Sequence, residues 1–378
     1  MLPRLSRHRL VTAAATGALL AGSISLGASA AGKPTDRPGP DPDVQRQRTN
    51  RPVQLVQVHA SSRTARAKVA SLGLDVTESA DADGIDVVLH GAGDAALLRR
   101  AGFSWRVKVK DLAAQVRANA AKDRAYAAKV TRSPLPSGQD HYRTLGDYNR
   151  EMRALAGAHP GMVKLLRLKH RSVEGRVVFG IEMTRHVRRL NDGKPVLLMM
   201  GAHHAREWPS SEHTIEFAYD LLRHYGHNRR ATMILNRSRV IFVPVVNVDG
   251  FAISRSAPPL GDFSLFDYEM KRKNCRVSIH TPAPYTSGTC EDNPAGRLRG
   301  TDLNRNYPGF WGGPGASASW SDDTYRGDAP GSEPEVDNIR SLISRRQVTG
   351  LITNHTYGDL VLRPPSIYDT GLTPDEPR

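Results

Sequence analysis

Two apolar runs without polar interruption constrain the fold of this chain most: "PVLLMM" at residues 195–200 and "RVIFVPVV" at 239–246. A strand with one wet face alternates apolar and polar residues, so an unbroken run reads as a strand covered on both faces. Covering both faces takes helices, and helical spacing flanks these runs. Thr144 can cap a helix that buries Leu145, Tyr148, Met152 and Leu155, and a helix from Ser210 would bury Ile215, Ala218, Tyr219 and Leu222. Val336, Ile339, Leu342 and Ile343 mark a further helix, while "MVKLLRL", "VVFGIEM", "VTGLITNH" and "LVLRP" read as strands. Pro244 inside the second run predicts a bulge or an irregular edge. The expected fold is α/β, a mixed β-sheet flanked by helices. With 378 residues and 39% hydrophobic content, the chain can build one large domain of this kind and something smaller.

The smaller part lies ahead of it. "VQLVQVHA", "GIDVVLHG" and "FSWRVKV" read as strands, and "RTARAKVASLG" as a helix stopped by Gly73. Asp94 is placed to cap a second helix, stopped at Gly102, so "VASLGLDV" and "LRRAGFSW" are two versions of one helix–Gly–strand unit. Residues 53–110 therefore form a small α+β module, and 111–139 a polar helix and linker ending in "SPLPSGQ". Before the module, residues 31–52 are Pro-rich and charged, a flexible arm. Residues 1–30 read as a signal peptide: Arg4, Arg7 and Arg9 precede an apolar stretch, and Ala28-Ser29-Ala30 offers a small-residue cleavage site. A secreted, extracellular protein without a stable membrane anchor is expected.

Export gives the two cysteines, Cys275 and Cys290, a meaning. In an oxidising compartment they can bridge; two free thiols or one metal-bound cysteine are the other readings. The formal charge of +15 would suit an anionic partner, but the basic residues are scattered and no nucleic-acid motif appears.

The strand "PVLLMM" opens into "GAHHAREWPSSEH". An open zinc site takes three protein ligands, commonly two histidines and a carboxylate. His204 and Glu207 stand i, i+3 where the chain leaves the strand, and His203 stands i, i+4 to Glu207. The second spacing needs a helical turn, but Pro209 and a Ser210 cap put the helix start after Glu207. The third candidate ligand is His355, at the polar end of "GLITNHTY", where open α/β sheets carry ligand-binding residues. Alone, it reads as a strand-end histidine bonded to solvent or backbone.

These segments resemble the zinc metallocarboxypeptidases of the pancreatic type. "HHAREW" is similar to their first metal motif, "VPVVNVDG" to the strand that follows, and "RKN" at 272–274 to the segment with their carbonyl-polarising arginine. "GTDLNRNYPGFWGG" resembles their Asn-Arg segment, and "TYRGDAPGSEPEVDNI" followed by "NHTY" their helix and third ligand. The resemblance runs from about residue 140 to 378, an expected zinc carboxypeptidase domain. It implies one Zn2+ per chain on His204, Glu207 and His355, and not on His203.

For the rest of the site the resemblance implies Arg272 as carbonyl polariser, although "MKRKNCR" is a basic run whose charges would ordinarily be solvated. Asn304 and Arg305 would grip a terminal carboxylate, with Arg206 as a second basic contact and Tyr357 lining the cleft. The general-base glutamate lies on a later strand in that family. Here Glu376 is the sole glutamate after His355, on a Pro-flanked polar tail, so base, closing strands and C-terminal helix are expected to be missing from this chain. The function implied is a secreted zinc-dependent carboxypeptidase, a monomer acting on peptide C-termini, with residues 53–110 packed on it as a pro-segment. Two alternatives stay open: a cell-wall peptide hydrolase, and a non-catalytic module that binds zinc and peptide C-termini.

Overall fold

The computed structural model describes residues 52–313, 315–356 and 361–362. The expected signal segment, nearly all of the arm, most of "LVLRP", Tyr357 and Glu376 lie outside the described residues.

Residues 54–109 build a small antiparallel sheet from β1 (Gln54–His59), β2 (Asp75–Ala80), β3 (Gly84–Leu89) and β4 (Trp105–Val109), in the order β2-β3-β1-β4. Helices α1 (Arg63–Ala70) and α2 (Ala92–Arg100) connect the strands. Val56, Val58, Val69, Val87 and Leu98 are fully buried in a core separate from that of the larger sheet. Helix α2 ends as its sequence predicts. Gly102 adopts φ 83°, and the N–H groups of Gly102 and Phe103 reach back to Arg99 and Leu98, closing the last turn. Its start differs from expectation. The cap position is Gly91, and Asp94 sits inside the first turn with its carboxylate accepting from the His90 N–H at 2.7 Å. An acidic group there still satisfies an orphan donor and complements the helix dipole, so it looks like a cap in the sequence. Helix α3 (Leu112–Ala127), capped by Asp111, buries none of its residues.

The larger sheet has the order β5-β6-β8-β7-β9, from β5 (Val163–Arg171), β6 (Val177–Met183), β7 (Val196–Met200), β8 (Arg239–Val243) and β9 (Val348–Thr353). Strand β7 runs parallel to both β8 and β9, whereas β6 is antiparallel to β5 and β8, so the sheet is mixed. Its helices are α4 (Leu145–Ala158), α5 (Trp208–His224), α6 (Arg229–Arg237), α7 (Val248–Ser256), the single turn α8 (Leu303–Asn306) and α9 (Pro334–Arg345). Thr144 and Asp147 form a reciprocal capping box on α4, which buries Tyr148, Met152 and Leu155 and leaves Leu145 half-buried. Every residue of β8 is buried, as an unbroken apolar run requires.

Several local expectations need correction. The run "RVIFVPVV" is not one strand: β8 stops at Val243 before Pro244, and Asn247 caps α7, because proline has no N–H for the ladder. Helix α6 was hidden by its short, basic sequence. Ser210 is not the cap of α5, which begins at Trp208 after Glu207; instead its hydroxyl donates to the Glu207 carbonyl at 2.6 Å. On α5, Leu221 is buried and Tyr219 and Leu222 are half-buried, and on α9 Ile343 is 40% exposed while Val336 and Ile339 are buried. Among the described residues no helix is long and apolar enough to cross a membrane.

Candidate metal centre

Parallel pairing of β7 and β9 sets Met200 beside Thr353, so both strands deliver their C-terminal ends to one place. The Asn354 N–H bonds to the Met200 carbonyl at 2.8 Å and extends that alignment by one residue. Beyond β7 the chain must turn in very little space. A Cβ on Gly201 would lie 2.6 Å from the Ser210 carbonyl oxygen and 2.8 Å from that of Pro244, so only glycine fits. Ala202 follows with φ 45°, left-handed and costly for a residue with a side chain, by about 1 kcal/mol. Its N–H is held by the Ser210 hydroxyl at 2.9 Å, and the Glu207 N–H bonds to the His204 carbonyl at 3.2 Å. This strained turn puts His204 and Glu207 on one side and His203 on another.

Donor atoms of three residues meet there. His204 Nδ1 is 2.7 Å from Glu207 Oε1, His355 Nδ1 is 3.0 Å from Glu207 Oε2, and the two Nδ1 atoms are 3.2 Å apart. Bonds of about 2.0–2.1 Å to a tetrahedral zinc would put neighbouring ligand atoms about 3.3 Å apart. The donor set suits zinc, and the contacts of 2.7–3.2 Å would open only slightly to reach that spacing. His204 and Glu207 are buried and His355 is half-buried, so the group faces out from one side. Converging lone pairs are costly in such a place unless a cation or protons lie between them.

The charges around the donors are tuned by one another. Burial would raise Glu207, but His204 and His355 overcome it and hold the carboxyl well below the usual carboxylate range. Burial and Arg272 oppose protonation of His204, yet the Glu207 and Asp302 carboxylates prevail and raise it. His203 goes the other way: burial, aided by His355 and His204, pushes it down to about 3. It stands outside the donor group, with Nε2 2.9 Å from the Tyr307 hydroxyl and Nδ1 2.9 Å from the Thr353 hydroxyl.

Asp302 is the residue that sequence reasoning missed. Its Oδ2 accepts from Arg272 Nε at 3.0 Å, its Oδ1 lies 3.3 Å from His204 Nε2, and it caps α8 through the Asn304 N–H at 2.9 Å. Burial would raise it, but Arg272 and His204 hold it well below the ordinary range. An aspartate before a helical turn reads as a cap, and nothing in "GTDLNRN" reveals its contacts with Arg272 and His204.

Arg272 itself is buried, and so are its neighbours Lys271 and Lys273, contrary to the solvated run expected. Lys271 Nζ donates to the Arg299 carbonyl at 2.8 Å, and Lys273 Nζ to those of Trp320 and Asp322 at 2.7 and 2.9 Å. Burial pushes Lys271 down to about 7 and Lys273 to about 8. The two ammonium groups pin the segment on either side of Arg272. Asn304 and Arg305 are half-buried on α8, with Arg305 Nε donating to the Gly315 carbonyl at 2.9 Å. Arg206 reaches another part of the chain. Its Nη2 lies 3.1 Å from Asp75 Oδ1 on β2, and its Nη1 3.4 Å from Asp323 Oδ2.

A second convergence, Glu174 with Cys275 and Cys290, does not suit a metal. The two cysteines are joined as a disulfide, which removes the thiolates that would bind one.

A family model described as zinc carboxypeptidase matches residues 148–377. Metallocarboxypeptidase A of Trichophyton tonsurans is 32% identical over 191 residues, 50% of this chain and 39% of its own. Carboxypeptidase A2 of Rattus norvegicus is 30% identical over 224 residues, 59% of this chain and 46% of its own. The chain thus spans less than half the length of these relatives. The solved carboxypeptidase A of Helicoverpa armigera shares the fold, with a TM-score of 0.63 at 22% identity over 81% of this chain and 70% of that one. By the match over 148–377, the chain belongs to the zinc carboxypeptidase family.

Proposed function

We propose that His204, Glu207 and His355 hold one zinc ion and that the chain is a secreted carboxypeptidase, acting on the free C-termini of peptides. The observation that carries this reading is the meeting of two imidazole nitrogens and the two oxygens of one carboxylate, with contacts of 2.7–3.2 Å, at the ends of β7 and β9. Zinc bound there supplies Lewis acidity for peptide-bond hydrolysis.

The protein's own groups do the rest. Arg272, its Nε fixed by Asp302, stabilises negative charge that develops on the substrate's carbonyl oxygen. Arg305 and Asn304 receive the terminal carboxylate, for which a planar guanidinium is suited. Arg206 offers a second basic contact, but the Asp75 carboxylate occupies its Nη2 in this state. That occupation supports residues 53–110 as a pro-segment, since a module carboxylate stands where a substrate's acidic group would compete.

The test offers the zinc-loaded protein a peptide with a free C-terminus and the same peptide amidated. Only the free acid should bind, and Arg305→Gln should weaken its binding by roughly tenfold or more. Equal handling of acid and amide overturns the exopeptidase reading, whether or not zinc is bound.

A further inference from the structure

The two histidines of the proposed site are supported differently. A metal-binding imidazole uses one nitrogen for the metal, and its other N–H needs a fixed acceptor to set tautomer and ring orientation. Behind His204 that acceptor is a carboxylate, Asp302 Oδ1 at 3.3 Å from Nε2. Behind His355 it is a neutral hydroxyl, Thr353 Oγ1 at 3.3 Å from Nε2. A lone hydroxyl on an edge strand rotates freely and can also donate, so it does not fix a tautomer unaided.

Here it is not alone. The same Thr353 oxygen lies 2.9 Å from His203 Nδ1, whose Nε2 lies 2.9 Å from the Tyr307 hydroxyl. The His203 ring is stacked on that of His355, with centroids 5.9 Å apart and planes 24° from parallel. One proton order links the four groups as a relay when His355 Nδ1 faces the metal. His355 Nε2–H donates to Thr353, the Thr353 hydroxyl donates to His203 Nδ1, and His203 Nε2–H donates to Tyr307. Both rings and the threonine hydroxyl then have partners, and the relay ends on a tyrosine that packs against the core.

We propose that His203 is a positioning residue: through Thr353 it fixes the tautomer and ring plane of His355, doing for one ligand by a neutral relay what Asp302 does for the other by charge. The proposal rests on the zinc reading above. It gives the first histidine of "HHAREW" a role that is neither ligand nor filler. It also accounts for a buried histidine at a place where an apolar side chain would otherwise serve.

The test measures zinc affinity by competition with a chromophoric chelator, together with the absorption of the cobalt-substituted protein, in the full chain. His203→Phe keeps an aromatic ring of similar size and removes the relay's acceptor. Thr353→Val removes the relay from an exposed strand position that tolerates the change, so the proposal does not depend on the first variant folding. Each should weaken zinc 10–100-fold and alter the cobalt spectrum. The double variant should lose no more than the worse single one, because both cut the same relay. His203→Asn, whose side-chain oxygen reaches the place of Nδ1, should recover part of the loss. Zinc held with unchanged affinity by both single variants overturns the relay, as does full additivity of the two losses. Absence of zinc from the unsubstituted chain overturns the metal reading instead, and shows as the same null result in every variant.

Discussion

Glu335 makes the folding of this site depend on pH in a calculable way. It opens α9, is fully buried, and its Oε1 has no hydrogen-bond partner among the described residues. Burial pushes its carboxyl up to about 8, with the negative charges of Glu333 and Asp249 adding to the shift. The folded state therefore holds this proton more tightly than the unfolded chain, where the group ionises near 4.5. Stability is full below about pH 4.5 and declines as pH rises to about 8. At roughly 1.4 kcal/mol per pH unit, the decline from this one group is at most about 5 kcal/mol. Its place gives the effect a functional side. Asn274 Nδ2 donates to Glu333 Oε2 at 2.8 Å and lies 3.4 Å from Glu335 Oε2, which ties α9 to the segment carrying Arg272. Glu335→Gln keeps the shape and removes the charge. Urea unfolding at pH 5, 7 and 9 should show the variant gaining on the parent as pH rises, by a few kcal/mol at pH 9. Parallel pH profiles would refute the buried, protonated carboxyl.

Other substitutions probe other joints. Asp302→Asn should weaken zinc binding about 10–100-fold by loosening both His204 and Arg272; an unchanged dissociation constant in the chelator competition would count against its bridging role. Replacing Cys275 and Cys290 by serine reopens a 15-residue loop and should lower unfolding free energy by roughly 3 kcal/mol, read from urea midpoints, with no change meaning that the loop is held by other contacts. Asp75→Asn removes the carboxylate at Arg206, and tryptic cleavage of the 111–139 linker should quicken. Cleavage at the parent's rate would show that this ion pair does not hold the module.

How much of this was legible depends on how local the physics is. The helix–Gly–strand units of the small module are local, and their glycines fall where a left-handed residue closes the helix, as Gly102 does. The unbroken runs announced β7 and β8, because burial on both faces leaves a mark in every residue. The run through Pro244 misled, since apolar composition is the same for a buried strand and for the buried helix α7 that follows it. The spacing of His204 and Glu207 suggested one site, and the turn through Gly201 and Ala202 that separates them from His203 is visible only in space. Asp302, Lys271 and Lys273 escaped for the same reason. Their importance lies in partners 28 to 49 residues or more away along the chain, and a basic run looks alike whether solvated or pinned to carbonyls.

Zinc content of the purified full chain, measured by elemental analysis beside Glu207→Ala and His355→Ala, tests the central claim most directly. About one zinc per chain is expected in the parent and little or none in either variant after dialysis. A parent without zinc, or variants that retain it in full, would contradict it.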